Sequence, residues 1–129
     1  MIGCGLMARR LVVVDTNAEA CEAARALGAA VMHGDASRNE VLEAAKIEQA
    51  AAMVVSAGRD DASVLIVLTA RSLTRSLPIA VTIREADNED LATHAGATHV
   101  VNPVHVTGRL LAETVAGCVK GPATVRVRA

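Results

Sequence analysis

Short apolar segments that predict strands alternate along most of the chain with longer segments that predict helices. The run Leu11-Val12-Val13-Val14 is continuously apolar and rich in β-branched residues, which is typical of a strand covered on both faces. The Ala- and Glu-rich stretch from Asn17 to Leu27 predicts a helix that Gly28 ends. Further strands are predicted at 30–33, 51–55, 78–83 and 98–101. Further helices are predicted at 37–45, from 60 to about 73, at 88–95 and from 106 to about 119.

Local signals set the expected ends of these elements. Ser37 and Glu40 have the spacing of a capping box, and Asp60 and Asp61 suit the first turn of a helix. Asn102-Pro103 is expected to break the chain between the last strand and the last helix. Residues 124–128 alternate like a strand but have no obvious partner, so 121–129 are assigned to a tail.

The strand–helix order repeats about five times, which predicts an α/β fold with a doubly wound parallel sheet between two helical layers. Residues 1–120 are expected to form this one domain. Only Met1-Ile2 precede the first glycines, and the space from Ala8 to Leu11 cannot hold a helix of about 11–12 residues. The first strand and first helix are therefore expected to be shortened or missing.

Composition narrows the classes of function. A net charge of -1 gives no electrostatic footprint for nucleic acid or an anionic membrane. No apolar run approaches the ~18 residues of a spanning helix, and no signal peptide is recognisable, so a cytoplasmic protein without membrane insertion is expected. Phe, Trp and Tyr are absent, so any bound adenine must lie between aliphatic side chains or on backbone.

Neither metal nor catalytic chemistry is indicated. The cysteines are odd in number and lack a C-x-x-C pair, and the histidines have no metal-ligand or nucleophile spacing. These residues are Cys4, Cys21, Cys118, His33, His94, His99 and His105. His33 ends a strand beside Gly34-Asp35 and could face a ligand, although a structural role is the more common one. No catalytic residue and no metal site are assigned.

Candidate binding residues follow the predicted strands, because parallel sheets bind ligands at the carboxyl ends of their strands. Asp15, followed by Thr16, could accept hydrogen bonds from both ribose hydroxyls, or could be an acid stabilised at a helix N-terminus. The segment Gly34-Asp35-Ala36-Ser37 could present a carboxylate to an adenine amino group, or could be a turn and helix cap. Ser56-Ala57-Gly58 follows the next strand.

The glycines at the start of the chain resemble part of a dinucleotide fingerprint. Gly3-Cys4-Gly5-Leu6-Met7-Ala8 could turn backbone N–H groups toward a pyrophosphate. The fingerprint, however, places its acid about 20 residues after the glycines. Asp15 comes much earlier than that. Taken alone, this motif is a weak signal.

Longer blocks resemble RCK domains, the regulators of potassium conductance, which are also called Trk-type N-terminal nucleotide-binding domains. The resemblance runs from about Leu11 to Val115. The first block is "LVVVDTNAEACEAARALGAAVMHGDASRNEVLEAAKIEQAAAMVVSAGRDDASVLIVLTARSL", in which Ser63 replaces the usual Asn. The second block is "LATHAGATHVVNPVHVTGRLLAETV". The resemblance implies a Rossmann-like, non-catalytic domain that binds NAD(H) or adenine nucleotides as regulatory ligands.

The resemblance also implies roles for particular residues. Gly3, Gly5 and their neighbours Cys4, Leu6 and Met7 would face the phosphates. Asp15 would bind the ribose, and Asp35 with Ala36 would border the adenine. Ser56-Ala57-Gly58 would line the slot opposite the phosphates, and the helix within 104–120 would cross to a partner subunit.

A homodimer or higher RCK assembly is therefore expected, joined to a potassium channel or transporter at the cytosolic face of the inner membrane. Ligand occupancy would control potassium flow by changing the shape of that assembly. Two alternatives remain open at this point: an NAD-dependent oxidoreductase domain, and a dimerisation scaffold that has lost its nucleotide.

Overall fold

The computed structural model of the chain describes residues 11–117, in which five strands alternate with five α-helices. The strands are β1 (Val12–Asp15), β2 (Ala30–His33), β3 (Met53–Val55), β4 (Ile79–Thr82) and β5 (His99–Val101). The helices are α1 (Ala18–Ala26), α2 (Asn39–Ala44), α3 (Asp60–Leu73), α4 (Glu89–Ala95) and α5 (Pro103–Ala116). Short 3₁₀ turns lie at Ile47–Gln49 and Ala86–Asn88. The predicted tail at 121–129 lies outside the described residues.

All the strand pairs of the described region are parallel. β1 pairs with β2, and β4 lies between β3 and β5. Within residues 11–117, the hydrogen-bonded strands form a two-stranded and a three-stranded sheet, with no ladder joining β1 to β3. The predicted α/β class with parallel strands is confirmed. The strands of the described residues form two hydrogen-bonded sheets, one of two strands and one of three.

The core lies where α3 and α4 cover the three-stranded sheet. Along β4 and the residue after it, Ile79, Val81 and Ile83 alternate with more exposed residues and are almost completely buried. Val67 and Ala70 of α3 pack into the same aliphatic cluster. α1 packs separately against β1 and β2. An aliphatic core of this kind follows from a sequence without aromatic residues.

Two predicted helix starts are wrong. Ser37 does not cap α2, because Arg38 is the N-cap and makes no side-chain capping bond. Instead, the Ser37 hydroxyl donates to Asp35 Oδ1 at 2.7 Å. α5 begins at Pro103 rather than Val106, because Asn102 is its N-cap and Pro at the first helical position is favourable.

A hydrogen-bonded clasp joins the end of α3 to the end of α4. The Arg71 guanidinium donates to the Gly96 carbonyl from Nε at 3.0 Å and from Nη2 at 2.6 Å. Gly96 ends α4 with a φ of 116°. A Cβ at this glycine would lie 2.7 Å from Arg71 Cγ, so the close approach itself requires glycine.

Between residues 11 and 117, no helix has both the length and the apolar character needed to span a lipid bilayer.

Candidate functional site

The ends of β1 and β2 are joined by two hydrogen bonds. The Gly34 amide donates to the Asp15 carbonyl at 2.9 Å. His33, which pairs with Asp15 in the sheet register, contacts the Thr16 carbonyl through Nε2 at 2.8 Å. Because a carbonyl can only accept, this contact requires the His33 proton on Nε2. His33 therefore holds the chain after β1, which is the structural alternative of the two considered above.

The Asp15 carboxylate turns into the loop before α1. Its Oδ1 accepts from the Asn17 amide at 2.8 Å. Asn17 is the N-cap of α1, and its own Oδ1 accepts from the Glu19 and Ala20 amides. Asp15 thus lies beside the N-terminus of α1, although Asn17 is the residue that caps this helix. Asp15 Oδ2 accepts no hydrogen bond from residues 11–117 and can receive a donor from a ligand.

Asp35 forms a tight turn directly after β2. Its Oδ1 accepts from both the amide and the hydroxyl of Ser37, at 2.9 and 2.7 Å. The hydrogen bonds from Ser37, first the side-chain and then the backbone one, hold the pKa of the Asp35 carboxyl below 3.8. This side chain is thus a fixed anion at neutral pH, and an anion with free lone pairs is suited to accept from an amino group.

An open cavity of about 370 Å³ lies between this turn and the start of α3. Its lining residues are Asp35, Ser37, Arg59, Asp61, Ala62, Leu65 and Ile66. The Ser37 carbonyl accepts from the Thr69 hydroxyl at 3.0 Å, which ties the turn to α3. The cavity has aliphatic walls and a polar rim, which suits a flat heterocycle with hydrogen-bonding edges.

The rim of the cavity carries an ion pair. Arg59 donates to both carboxylate oxygens of Asp61, at 3.1 and 2.6 Å. The Ala62 amide and then the Arg59 side chain lower the pKa of Asp61. Both side chains are largely exposed, so the pair contributes little to stability. It leaves a guanidinium available to a ligand anion.

Ser56-Ala57-Gly58 continues from β3 on the surface. The Thr82 hydroxyl at the end of β4 donates to Ser56 Oγ at 3.3 Å, so these two strand ends meet. Gly58 has a φ of 80°, a conformation that favours glycine. Neither Ser56 nor Asp15 lines the 370 Å³ cavity, which Asp35 and Ser37 reach.

Several residues of this region were missed by the sequence reasoning. The sequence analysis placed Asp61 in the first turn of a helix, and it assigned neither Arg59 nor Leu65 and Ile66 to the site. Only packing of α3 against the turn after β2 brings them to the cavity. Gly3, Cys4, Gly5, Leu6 and Met7, the predicted phosphate-binding residues, lie outside the described residues.

A family model matches most of the amino-acid sequence of this chain. The TrkA-N domain model aligns with residues 4–103, which is most of the chain. The chain belongs to the TrkA-N domain family. The resemblance to RCK and Trk-type domains is thereby confirmed, and so is the Rossmann-like fold class.

Among curated relatives, the TrkA-N chain is similar to "Probable potassium channel protein 2" of Methanocaldococcus jannaschii. The two are 35% identical over 80 residues, which are 62% of this chain. The chain spans only 23% of the length of that relative.

Solved structures share the fold. The TrkA-N domain of the inner membrane protein ybaL from Escherichia coli superposes with a TM-score of 0.75 at 24% identity, covering 82% of this chain and 78% of that one. The GsuK channel bound to NAD gives a TM-score of 0.70 at 28% identity, covering 78% of this chain and 18% of that one. GsuK bound to ADP gives 0.67 at 29% identity, covering 78% and 26%. This TrkA-N domain is thus related to potassium-channel proteins, one of which has been solved with NAD and with ADP.

Proposed function

We propose that this TrkA-N domain is a regulatory subunit or segment of a potassium channel or potassium uptake system, controlled by NAD(H) or by ATP and ADP. The observation that carries this proposal is the junction of Asp15 with Gly34 beside the cavity at Asp35. One edge of the molecule thereby offers a ribose acceptor and an adenine-sized space. The similarity to the GsuK channel, which has been solved with NAD and with ADP, supports the same class of ligand.

In the proposed binding mode, the ribose lies at the end of β1. The free Oδ2 of Asp15 accepts from a ribose hydroxyl, and its negative charge disfavours a 2′-phosphate. Thr16 follows Asp15 in the chain and the Gly34 amide donates to the Asp15 carbonyl, so both residues are proposed to lie beside the ribose. Gly3, Cys4, Gly5, Leu6 and Met7 are proposed to bind the phosphates, as in the resemblance.

The adenine is proposed to enter the cavity beside Asp35 and Ala36. Leu65 and Ile66 offer aliphatic surface to its faces, and the Asp35 carboxylate accepts from its amino group. Ser56-Ala57-Gly58 is proposed to close the slot opposite the phosphates. No aromatic side chain is available to stack on the base, so shape and hydrogen bonding must supply the affinity.

Regulation is proposed rather than catalysis, because the two carboxylates at the cavity, those of Asp35 and Asp61, are poor proton carriers near neutral pH. Hydrogen bonds lower the pKa of Asp35 and Asp61, away from the range in which a general acid or base works well. An oxidoreductase would also need a substrate site next to the nicotinamide. The relatives named as potassium channels favour regulation over that alternative.

A homodimer or larger assembly is proposed through α5. Val104, Gly108, Leu111 and Val115, here called the α5 stripe, follow one face of the helix at spacings of four, three and four. Val104 and Leu111 are each 63% exposed, and α5 buries none of its residues. Exposed apolar stripes of this kind mark interaction surfaces. Gly108 would let the same helix of a second copy approach closely.

In the cell, the domain is proposed to be cytoplasmic, held at the cytosolic face of the inner membrane by a membrane-spanning potassium protein. The proposal includes no nucleic-acid partner and no direct membrane insertion.

Calorimetry with NAD⁺, NADH, ATP and ADP tests the proposed function. Saturable binding of at least one nucleotide, with no hydride transfer to carbonyl substrates, is expected. Turnover would establish the oxidoreductase alternative. A stable dimer that binds none of the four would establish the scaffold alternative and contradict nucleotide regulation. Control of transport is tested by adding the purified domain to membranes of a potassium-transport-deficient strain that expresses a potassium channel or transporter. Potassium flux across these membranes should then follow the nucleotide concentration.

A further inference from the structure

The side-chain hydrogen bonds that join α5 to the rest of the described chain lie at its N-cap, Asn102. Asn102 is buried and caps the helix, accepting from the Val104 amide at 3.0 Å. Its Nδ2 donates to the Arg84 carbonyl at 3.3 Å and to Glu89 Oε1 at 2.9 Å. Beyond this turn, α5 buries no residue in the described chain. Asn102 thus links the base of α5 to the segment that follows β4.

The segment after β4 is held in turn by Asp60. Its Oδ1 accepts from the Arg84 amide at 2.9 Å, and its Oδ2 accepts from the Glu85 amide at 3.0 Å. Oδ2 also accepts from Asn88 Nδ2 at 2.8 Å. One carboxylate thus fixes both ends of the loop that leads into α4. These donors satisfy an ion that would be costly to leave without partners.

Asp60 belongs to the same helical turn that forms the cavity wall. Its neighbours Arg59 and Asp61 line the cavity, while Asp60 points to the loop after β4. The same turn therefore meets the cavity through Arg59 and Asp61 and the loop after β4 through Asp60. The described contacts therefore run without a break from the cavity rim, through Asp60 and Arg84, to Asn102.

We propose that Asp60 and Asn102 are positioning residues that make the orientation of α5 depend on occupancy of the cavity. This inference rests on the proposed function, since it needs a nucleotide at this site. It adds the chain of hydrogen bonds that would couple nucleotide binding to the orientation of α5, the helix that carries the α5 stripe. Binding shifts α5 only because the ligand contacts Arg59 and Asp61 differently in the two orientations.

Hydrogen–deuterium exchange of the full chain tests this route. Amides of Val104 and His105, which face the Asn102 cap, should exchange about threefold or more differently when the protein is saturated with NAD⁺ or, separately, with ADP. Calorimetry on the same samples shows whether each nucleotide is bound.

Two variants and one control distinguish coupling through Asp60 and Asn102 from a role of these residues in stability alone. Asp60→Asn removes the charge and one acceptor, and Asn102→Ser keeps an N-cap oxygen but loses the donor to Arg84 and Glu89. Asp87→Asn makes the same charge change in the same loop, at an exposed carboxylate that accepts no hydrogen bond from residues 11–117. Should Asp60→Asn fail to fold, Asn102→Ser decides alone.

The expected result is that Asp60→Asn and Asn102→Ser still bind nucleotide but lose the exchange response at 104–105, while Asp87→Asn keeps it. A response of wild-type size in either folded variant would overturn the route. So would nucleotide binding to the wild-type chain without any response in α5, and that outcome leaves the proposed function intact. If no nucleotide binds the wild-type chain, the proposed function fails and this inference fails with it.

Discussion

The Gly34 amide donates to the Asp15 carbonyl across 2.9 Å, joining the carboxyl ends of β1 and β2. This bond lies one step beyond the last register pair, Asp15 with His33, so it extends the ladder into the loops. The two acidic positions selected from the sequence are Asp15, the last residue of β1, and Asp35, two residues after β2, and they therefore lie at the same edge of the sheet. That shared edge is the geometric basis for placing one nucleotide across both.

Removing the Asp15 carboxylate should weaken every ligand that carries a ribose. In Asp15→Ala, loss of charge-assisted hydrogen bonds should cost about 1–3 kcal/mol of binding free energy, measured by calorimetry. The matched control is Asp87→Ala, which removes an exposed carboxylate from the loop after β4. If Asp15→Ala binds as well as the wild type, Asp15 is not part of the site.

Filling the cavity should block the adenine without removing any hydrogen-bonding group. Ala62 lines the cavity and is half-buried on α3, so Ala62→Leu should lower nucleotide affinity by about tenfold or more, through a steric overlap. Ala23→Leu adds the same atoms to an exposed position of α1 and should bind normally. Equal affinities of the two variants, measured by calorimetry, would place the adenine elsewhere.

A charge in the α5 stripe should disrupt self-association. Leu111 is 63% exposed, and burying a glutamate there in an interface without a partner is costly. Leu111→Glu should therefore raise the dimer dissociation constant by about tenfold or more in sedimentation equilibrium. Leu27→Glu, at an equally exposed leucine after α1, serves as the control. A wild-type constant for Leu111→Glu would rule out α5 as the interface.

The clasp between α3 and α4 should contribute to stability. Arg71→Ala removes the donors to the Gly96, Thr74 and Arg75 carbonyls, at an expected cost of about 1–3 kcal/mol in the free energy of unfolding. Urea unfolding followed by far-ultraviolet circular dichroism measures this, since the chain has no Trp or Tyr for fluorescence. Arg75→Ala, whose exposed side chain holds none of these carbonyls, should be near neutral. Equal stability of the two variants would contradict the assignment.

Stability should fall in acid because of the hydrogen-bonded carboxylates. The amides of Arg84 and Glu85 and the Asn88 side chain lower the pKa of Asp60 from 3.8. A carboxyl whose pKa is lower in the folded state stabilises the fold fully above its unfolded value. That stabilisation is lost as the pH falls from about 3.8 through the lower folded pKa.

The measurement is urea unfolding at a series of pH values across that window. Asp60→Asn should show a shallower loss of stability than the wild type, because it has no carboxyl to protonate at this position. Asp87→Asn should keep the wild-type slope. A slope in Asp60→Asn equal to that of the wild type would show that Asp60 does not link stability to pH.

Much of the fold follows from local patterns in the chain. The apolar run at 11–14 predicts β1, the strand at 30–33 matches β2 at both ends, and Gly96 correctly ends α4. These features depend on residues close in sequence, where hydrophobic period and glycine conformation act directly. The errors at Ser37 and Asn102 arose because short polar side chains can cap a helix or form a turn, and the local sequence does not distinguish the two.

The sequence by itself determined the order of strands and helices, the aliphatic character of the core and the small or acidic residues that follow β1, β2 and β3. Tertiary structure alone decided which of these residues meet. It placed Arg59 and Asp61 beside Asp35, directed Asp60 to the loop after β4, and left the α5 stripe uncovered. Such contacts join residues more than 20 positions apart, and packing between whole elements, rather than any local preference, brings them together.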